Sequence, residues 1–377
     1  MAKQTSEAFP MNGGNGPYSY AHNSTYQVIL TAQREKASTE LLIVLKEGVD
    51  STKAKIQAAI AEKLDIKHLP SSLKTFTIAD LGCSFGPNTF IAVQNIIEAV
   101  VLKYKSQGTF SSDVPEFQVL FNDHSSNDFN KLFESLSPEM PYYVVGVPGS
   151  FHGRLFPKAS VHFVHSSYAL HWISRVPPQV VDKSSPAWNQ GRVHYASAPN
   201  EVLEAYSAQF SKDIQSFLDA RAQEMVSGGL MTIIIPALPN ETPVSQSTFG
   251  AVMDLLGSCF LDMAKMGLMS EDKVDSFNLP LYATSPKELE ALIERNGCFS
   301  VEGMEALNRP MTHDAAYNAK LCLSHMRATL EGPIREHFGT EIIDELFHRF
   351  AEKSAMSSIF INSDGWAIDL LVILKRN

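Results

Sequence analysis

The chain has 377 residues, 44% of them hydrophobic, enough to bury a sizeable core in one large domain or two modest ones. A formal net charge of −10, with no run of five basic residues, argues against the electrostatic footprint of a nucleic-acid binder. The four cysteines (Cys83, Cys259, Cys298, Cys322) form no CxxC pair, the opening MAKQTSEAFPMNGG lacks a signal-peptide pattern, and no apolar run is long enough to span a bilayer. A cytoplasmic protein without membrane or nucleic-acid partners is expected.

Residues 1–25, rich in Gly, Asn, Ser and Tyr, read as a loop or an N-terminal arm that orders over the active site. Between Tyr26 and Leu64, apolar residues recur every three or four positions (Leu41, Leu42, Leu45; Ile56, Ala59, Ile60, Leu64), the period of amphipathic helices. Five β-rich runs follow, at Thr75–Ala79, Phe117–Phe121, Tyr142–Val147, Val161–Val164 and Leu230–Ile235, with helical patterns at Thr89–Tyr104 and Asn200–Val226. Buried strands alternating with helices predict an α/β fold: a Rossmann-like, mostly parallel sheet with helices on both faces, over residues 26–235. Residues 177–200 and 236–350 do not fit that core. Their patterns (Ala251–Met266, Pro286–Asn296, Ala316–Leu330, Glu341–Lys353) predict a mainly helical cap over the strand ends. Residues 351–377 return to the core as a helix end and an edge-side strand, Ala367–Leu374.

The strongest local signal is TIADLGCSFGPNT (77–89), between the first strand and the helix after it. Open α/β sheets bind ligands at the carboxyl ends of their strands, where a Gly-rich turn exposes backbone N–H groups. Asp80 at the strand mouth suits an ammonium and would repel a pyrophosphate; neither GxGxxG nor a Walker lysine is present. The second strand ends in Asp123, placed to accept from ribose hydroxyls. After the third come Ser150 and Phe151, a hydroxyl and a ring for the adenine. Each has a plainer reading: Asp80 as a helix cap, Asp123 as a turn residue, Phe151 as a core aromatic.

The motifs MNGGNGPYSYAHNSTYQ (11–27), ADLGCSFGPNT (79–89), FNDHSSNDFN (121–130), GVPGSFHGRLFP (146–157), HSSYALHW (165–172) and VDSFNLP (274–280) resemble the plant SABATH methyltransferases. Members of that family methylate carboxyl groups of small plant acids and, in some cases, ring nitrogens of xanthines or nicotinate. WNQGRVHY and GSCFLDMAKMG look closest to its loganate and farnesoate branch. The resemblance implies S-adenosylmethionine (SAM) as cofactor, S-adenosylhomocysteine (SAH) as its product, and a homodimer. It places Tyr20, Ser24, Cys83, Asn88, Asp123, His124, Ser150 and Phe151 at the cofactor, with Asp80 in the same loop. His124 is a departure, since many relatives have Leu there.

Methyl transfer to a carboxylate needs no general base, because the acid is ionised at neutral pH. It needs donors that hold the carboxylate and a dry enclosure. Gln27 and the donor-only indole of Trp172 supply the donors, and by resemblance Tyr168, His171 and Tyr20 line the same pocket. For the alternative, N-methylation of a heterocycle, His171 and Tyr168 would be the hydrogen-bond partners. GSFHG (149–153) places its serine one position early for a nucleophile elbow, which argues against a hydrolase. His162 and His165 are read as satisfied core-edge histidines rather than metal ligands. Asn189, Asp275, the Phe277 carbonyl and Asn278 stand where some relatives hold Mg²⁺; their plainer reading is a tie between cap and core. Met253 replaces a tryptophan that closes the small aromatic pocket of salicylate-type relatives, which implies a different or larger acid.

Overall fold

The computed structural model of the protein describes residues 9–24, 52–66, 74–108, 114–307, 314–360 and 367–377. Its centre is a seven-stranded sheet: β1 (Thr75–Leu81), β2 (Glu116–Asp123), β3 (Tyr143–Pro148), β4 (Val161–Ser167), β5 (Met225–Ala237), β6 (Phe299–Leu307) and β7 (Ile368–Arg376). The spatial order is β3-β2-β1-β4-β5-β7-β6. The first five strands run parallel, and β7 pairs antiparallel with both β5 and β6. The chain reverses direction across the sheet between β1 and β4, so the strand ends there open a crevice.

Helices cover both faces. On one side lie α1 (Tyr20–Asn23), α2 (52–63) and α3 (Pro87–Ser106), where Ile56, Ile60, Val93 and Ile97 bury against Phe76, Ile78 and Phe121. α3 starts where Gly86 caps it and Pro87, which needs no N–H partner, takes its first turn. α4 (Phe129–Glu134) follows β2, capped by the Asp128 carboxylate on the Lys131 N–H. On the other face, α5 (Asn200–Glu224) packs Phe210, Ile214 and Phe217 into a cluster with Leu289, Leu292 and Ile293.

The cap is a third cluster, built by α6 (Thr248–Lys265), α7 (Glu271–Asp275), α9 (Ala315–Phe338) and α10 (Ile343–Met356), with Val193, Phe277 and Phe360. Between its halves, α8 (Pro286–Asn296) leaves the cap and packs on the sheet-side core. The strand β6 follows it, inside a segment expected to be mainly helical. FSVEGMEAL carries Gly303 and two glutamates and buries only its end residues, so it lacks the pattern of a buried strand. β7, expected at the edge, is interior instead, with β6 outside it. Its IDLLVILKR is nearly continuous apolar sequence, as a strand covered on both faces should be.

Candidate functional site

Asp80 is the penultimate residue of β1 and is 3% exposed. Thr89, in the first turn of α3, donates its hydroxyl to Asp80. Burial pushes the Asp80 carboxyl up to about 7 against that bond, and repulsion from Asp123 adds to the rise. The following turn is possible only with glycine. Gly82 has φ +77°, and a Cβ there would stand 2.3 Å from the Ala169 Cβ on the turn after β4. Cys83 and Ser84 complete the loop; Ser84 holds φ +51°. Tyr20, Asp80, Gly82, Cys83, Asn88, Thr89 and His165 together line one cleft.

A second cleft continues from it, lined by Ser84, Asp123, His124, Phe151, His152 and Trp172. Asp123 Oδ2 accepts from the Ser84 N–H at 2.8 Å and Oδ1 from the His124 N–H at 2.7 Å, leaving one lone-pair direction on each oxygen. Burial raises the Asp123 carboxyl and lowers the His124 imidazole. Phe151 is 7% exposed and packs edge-on against Phe217. Ser150, beside it, accepts from the His152 N–H through Oγ at 3.4 Å and does not line the cleft.

Two supports escaped the sequence reading. Asn122, fully buried, donates from Nδ2 to the Val147 and Gly149 carbonyls, while its backbone carbonyl accepts from the Gly82 and Cys83 N–H groups. One residue thus ties the turns after β1 and β3. On the far side, Arg221 and Glu224 at the end of α5 form an ion pair with both side chains 0% exposed. Arg221 donates to the Phe151 and Gly153 carbonyls; Glu224 accepts from the Leu155 and Phe156 N–H groups. The pair therefore clamps the loop that carries Phe151. Their i, i+3 spacing is visible in the sequence, but the distant partners are not.

Beneath the cap lies an apolar cavity of about 140 Å³. Met253, Met326, Leu330, Phe249 and Leu281 supply most of its wall, and His171, His325, Thr248 and Thr329 its polar points. Tyr168, expected in the pocket, is there, held at φ +53° with its N–H on the Ile234 carbonyl. A non-glycine residue in the left-handed region is costly and often marks a functional site. Residues 171–173 are stitched to the segment 280–282, since Tyr282 N–H donates to the His171 carbonyl and Ile173 N–H to that of Pro280. Trp172 lines both this cavity and the second cleft, and Phe9 stacks on it at 5.8 Å.

The arm also reaches the site. Its Asn12 N–H donates to the Ala328 carbonyl of α9, and Arg327 lies 3.5 Å from the centroid of the Tyr18 ring. Tyr20 lines all three cavities. Ser24 is fully buried beside the Gly86 turn, with its carbonyl accepting from Asn88 Nδ2 at 3.4 Å. Gln27 lies outside the described residues.

The residues weighed for magnesium are tied to one another and to the 177–200 loop, while Asn189 Oδ1 is buried without a partner among the described residues. Asn189 Nδ2 donates to both Asn278 Oδ1 (2.6 Å) and the His194 carbonyl, which fixes its orientation, and Asp275, the sole carboxylate of the four, accepts from the Gly191 N–H. The buried Phe277 packs its ring against Phe260 and Phe338. No group of three or more His, Cys, Asp and Glu side chains suited to a metal occurs among the described residues. His162 fits its expectation, accepting from the Thr77 N–H at 3.0 Å, whereas His165 faces the first cleft.

A family model for SAM dependent carboxyl methyltransferases matches residues 6–377. Loganic acid O-methyltransferase of Catharanthus roseus is 44% identical, covering 98% of this chain and 95% of its own. A solved structure of a loganic acid methyltransferase with SAH superposes with a TM-score of 0.87 at 42% identity, covering 98% of this chain and 99% of that one. Farnesoic acid carboxyl-O-methyltransferase of Arabidopsis thaliana is 37% identical over 99% of this chain and 100% of its own. A 3,7-dimethylxanthine N-methyltransferase of Camellia sinensis var. assamica stands further off, at 34% over 92% and 91%. With the parallel sheet, the acid-bearing strand ends and the full-length match in agreement, the chain belongs to the family of SAM-dependent carboxyl methyltransferases.

Proposed function

We propose that the protein forms the methyl ester of a small, largely apolar organic acid. The observation that carries this reading is the shared wall: Met11, Tyr20, Tyr168 and Trp172 line both the acidic cleft and the apolar cavity, so two ligands would meet across them. Bound SAM supplies a methyl group on a positively charged sulfur. Asp80 and Asn88 hold its amino-acid end, Asp123 its ribose and Phe151 its adenine. Ser24, Cys83, His124 and Ser150 support that cleft. Trp172, with Gln27, presents N–H groups to the acceptor carboxylate, while Tyr168 and His171 position the acid. The carboxylate arrives ionised, so no side chain need remove a proton. The apolar wall excludes the water that would screen the reacting charges. Met253, 2% exposed in the cavity wall, stands where salicylate-type relatives carry a tryptophan, and its flexible side chain suits a different or larger acid.

Incubating the protein with SAM and a panel of plant-type acids should yield a methyl ester. The reading fails if no acid is methylated while xanthines or nicotinate are, an outcome that would establish the ring N-methyltransferase instead. Greater identity to acid O-methylating relatives than to the xanthine enzyme favours the ester.

Three finer points belong to the same proposal. The protein acts in the cytoplasm, a reading that four free thiols support. It forms a homodimer; the β3 edge exposes Tyr143 and Val145 beside Leu102 and Phe133, an apolar surface suited to a second copy. Asn189, Asp275 and Asn278 tie the cap to the loop at 177–200 without Mg²⁺, so a chelator leaves turnover unchanged.

A further inference from the structure

His165 belongs to β4, in register with Asp80 of β1 on one side and Thr232 of β5 on the other. The three side chains therefore form a row across one face of the sheet, at the strand ends where the first cleft opens. The imidazole is 1% exposed. Its Nδ1 lies 2.9 Å from Thr232 Oγ1, which fixes the ring. Its Nε2 is buried and has no hydrogen-bond partner among the described residues, although the ring lines the cleft with Asp80, Asn88 and Thr89. Asn88 Oδ1 is in the same condition, its amide nitrogen being turned to the Ser24 carbonyl. Buried polar atoms without partners are uncommon and costly, and two in one cleft point to a ligand.

We propose that His165 Nε2 accepts a hydrogen bond from the α-ammonium of SAM, completing with Asp80 and Asn88 Oδ1 a set of three acceptors. An ammonium has three N–H donors and no acceptor capacity, and the cleft offers it one negative and two neutral acceptors. The role requires the tautomer protonated at Nδ1, with that N–H donating to Thr232 Oγ1. Burial pushes the imidazole down to about 4, so the ring is neutral and able to accept at physiological pH. His165 is thus a cofactor-binding residue, a role independent of which acid is methylated.

The test separates the amino-acid end of the cofactor from the rest. SAH carries the ammonium; 5′-methylthioadenosine keeps the adenosine and thioether but lacks the amino-acid head. His165→Asn retains an amide N–H for Thr232 and removes Nε2, while His165→Gln returns a polar group near the Nε2 position. By calorimetry, His165→Asn should weaken SAH about tenfold and methylthioadenosine less than about twofold, and His165→Gln should recover SAH to within about threefold. Equal weakening of both ligands, or unchanged SAH affinity in His165→Asn, overturns the proposal. Should the variants not fold, the wild-type protein decides by nitrogen-15 spectroscopy. Nε2 should be unprotonated and shift with SAH but not with methylthioadenosine; a protonated Nε2, or an equal response to both, overturns it.

Discussion

With Asp80 at the ammonium of SAM, as proposed, cofactor affinity should depend on pH, and the size of the effect follows from the surroundings of the carboxyl. Without cofactor its carboxyl titrates at about 7, because burial outweighs the Thr89 bond. A cationic ammonium beside it favours the carboxylate, so binding must expel the proton wherever the free protein holds one. With the group fully ionised in the complex, apparent SAH affinity falls by a factor of one plus the ratio of protonated to ionised Asp80. That factor is about 11 at pH 6 and about 1.1 at pH 8, a tenfold change or about 1.4 kcal/mol. Calorimetry in buffers of different ionisation enthalpy should find about 0.9 proton released per SAH at pH 6 and about 0.1 at pH 8. Stability of the cofactor-free protein has the opposite dependence. The folded carboxyl titrates above its ordinary 3.8, so its contribution is complete below that value and is lost as pH rises through about 7. Asp80→Asn should bind SAH more weakly at pH 8 and flatten the profile. A flat wild-type profile, or an Asp80→Asn variant with the same slope, refutes the reasoning.

Three substitutions probe other parts of the site. Trp172→Phe keeps the stack on Phe9 but deletes the N–H, and should cost kcat/KM about 1.5–3 kcal/mol while leaving SAH affinity within about twofold; a matching loss of SAH affinity would contradict the assignment. Gly82→Ala forces a Cβ to 2.3 Å from Ala169, so SAH binding should be lost in titrations and the melting temperature should fall; a variant that binds normally would show that the two turns are not in rigid contact. Glu224→Ala leaves the Arg221 cation buried without its partner and should lower stability by about 3–5 kcal/mol in urea unfolding; a loss under about 1 kcal/mol would mean that water reaches the pair.

The grouping of the residues proposed for the cofactor at the strand ends was legible because those residues are local. Asp80, Gly82, Asn88, Asp123 and Phe151 each sit within a few positions of a strand end, and strand ends can be read from short apolar runs. What the sequence hid depends on contacts across the chain. Asn122 looked like part of a strand, yet it spans the turns after β1 and β3. The Arg221–Glu224 pair lies some 70 residues from the loop that it holds. The partnerless Nε2 of His165 was hidden because a strand histidine shows neither its neighbours nor what its second nitrogen faces. β6 was missed for a different reason, its Gly303 and glutamates carrying little strand propensity; it is a strand because β7 offers it an edge. The extent of α9 was also underestimated: the apolar pattern was followed only to Leu330, whereas the helix runs on through Pro333 to Phe338.

The placement of β6 also decides how this protein can be recombined. The helices of the cap arrive in two pieces, one between β5 and β6 and the other between β6 and β7, and both line the apolar cavity: Met253 comes from the first, Met326 and Leu330 from the second. The cap is therefore not a module with a single entry and exit that could be exchanged between relatives. A chimaera that swaps one piece would join half of one parent's pocket to half of another's, with α6 of one packed on α9 and α10 of the other. Transfer of acid preference calls for both insertions together, grafted on either side of a retained β6.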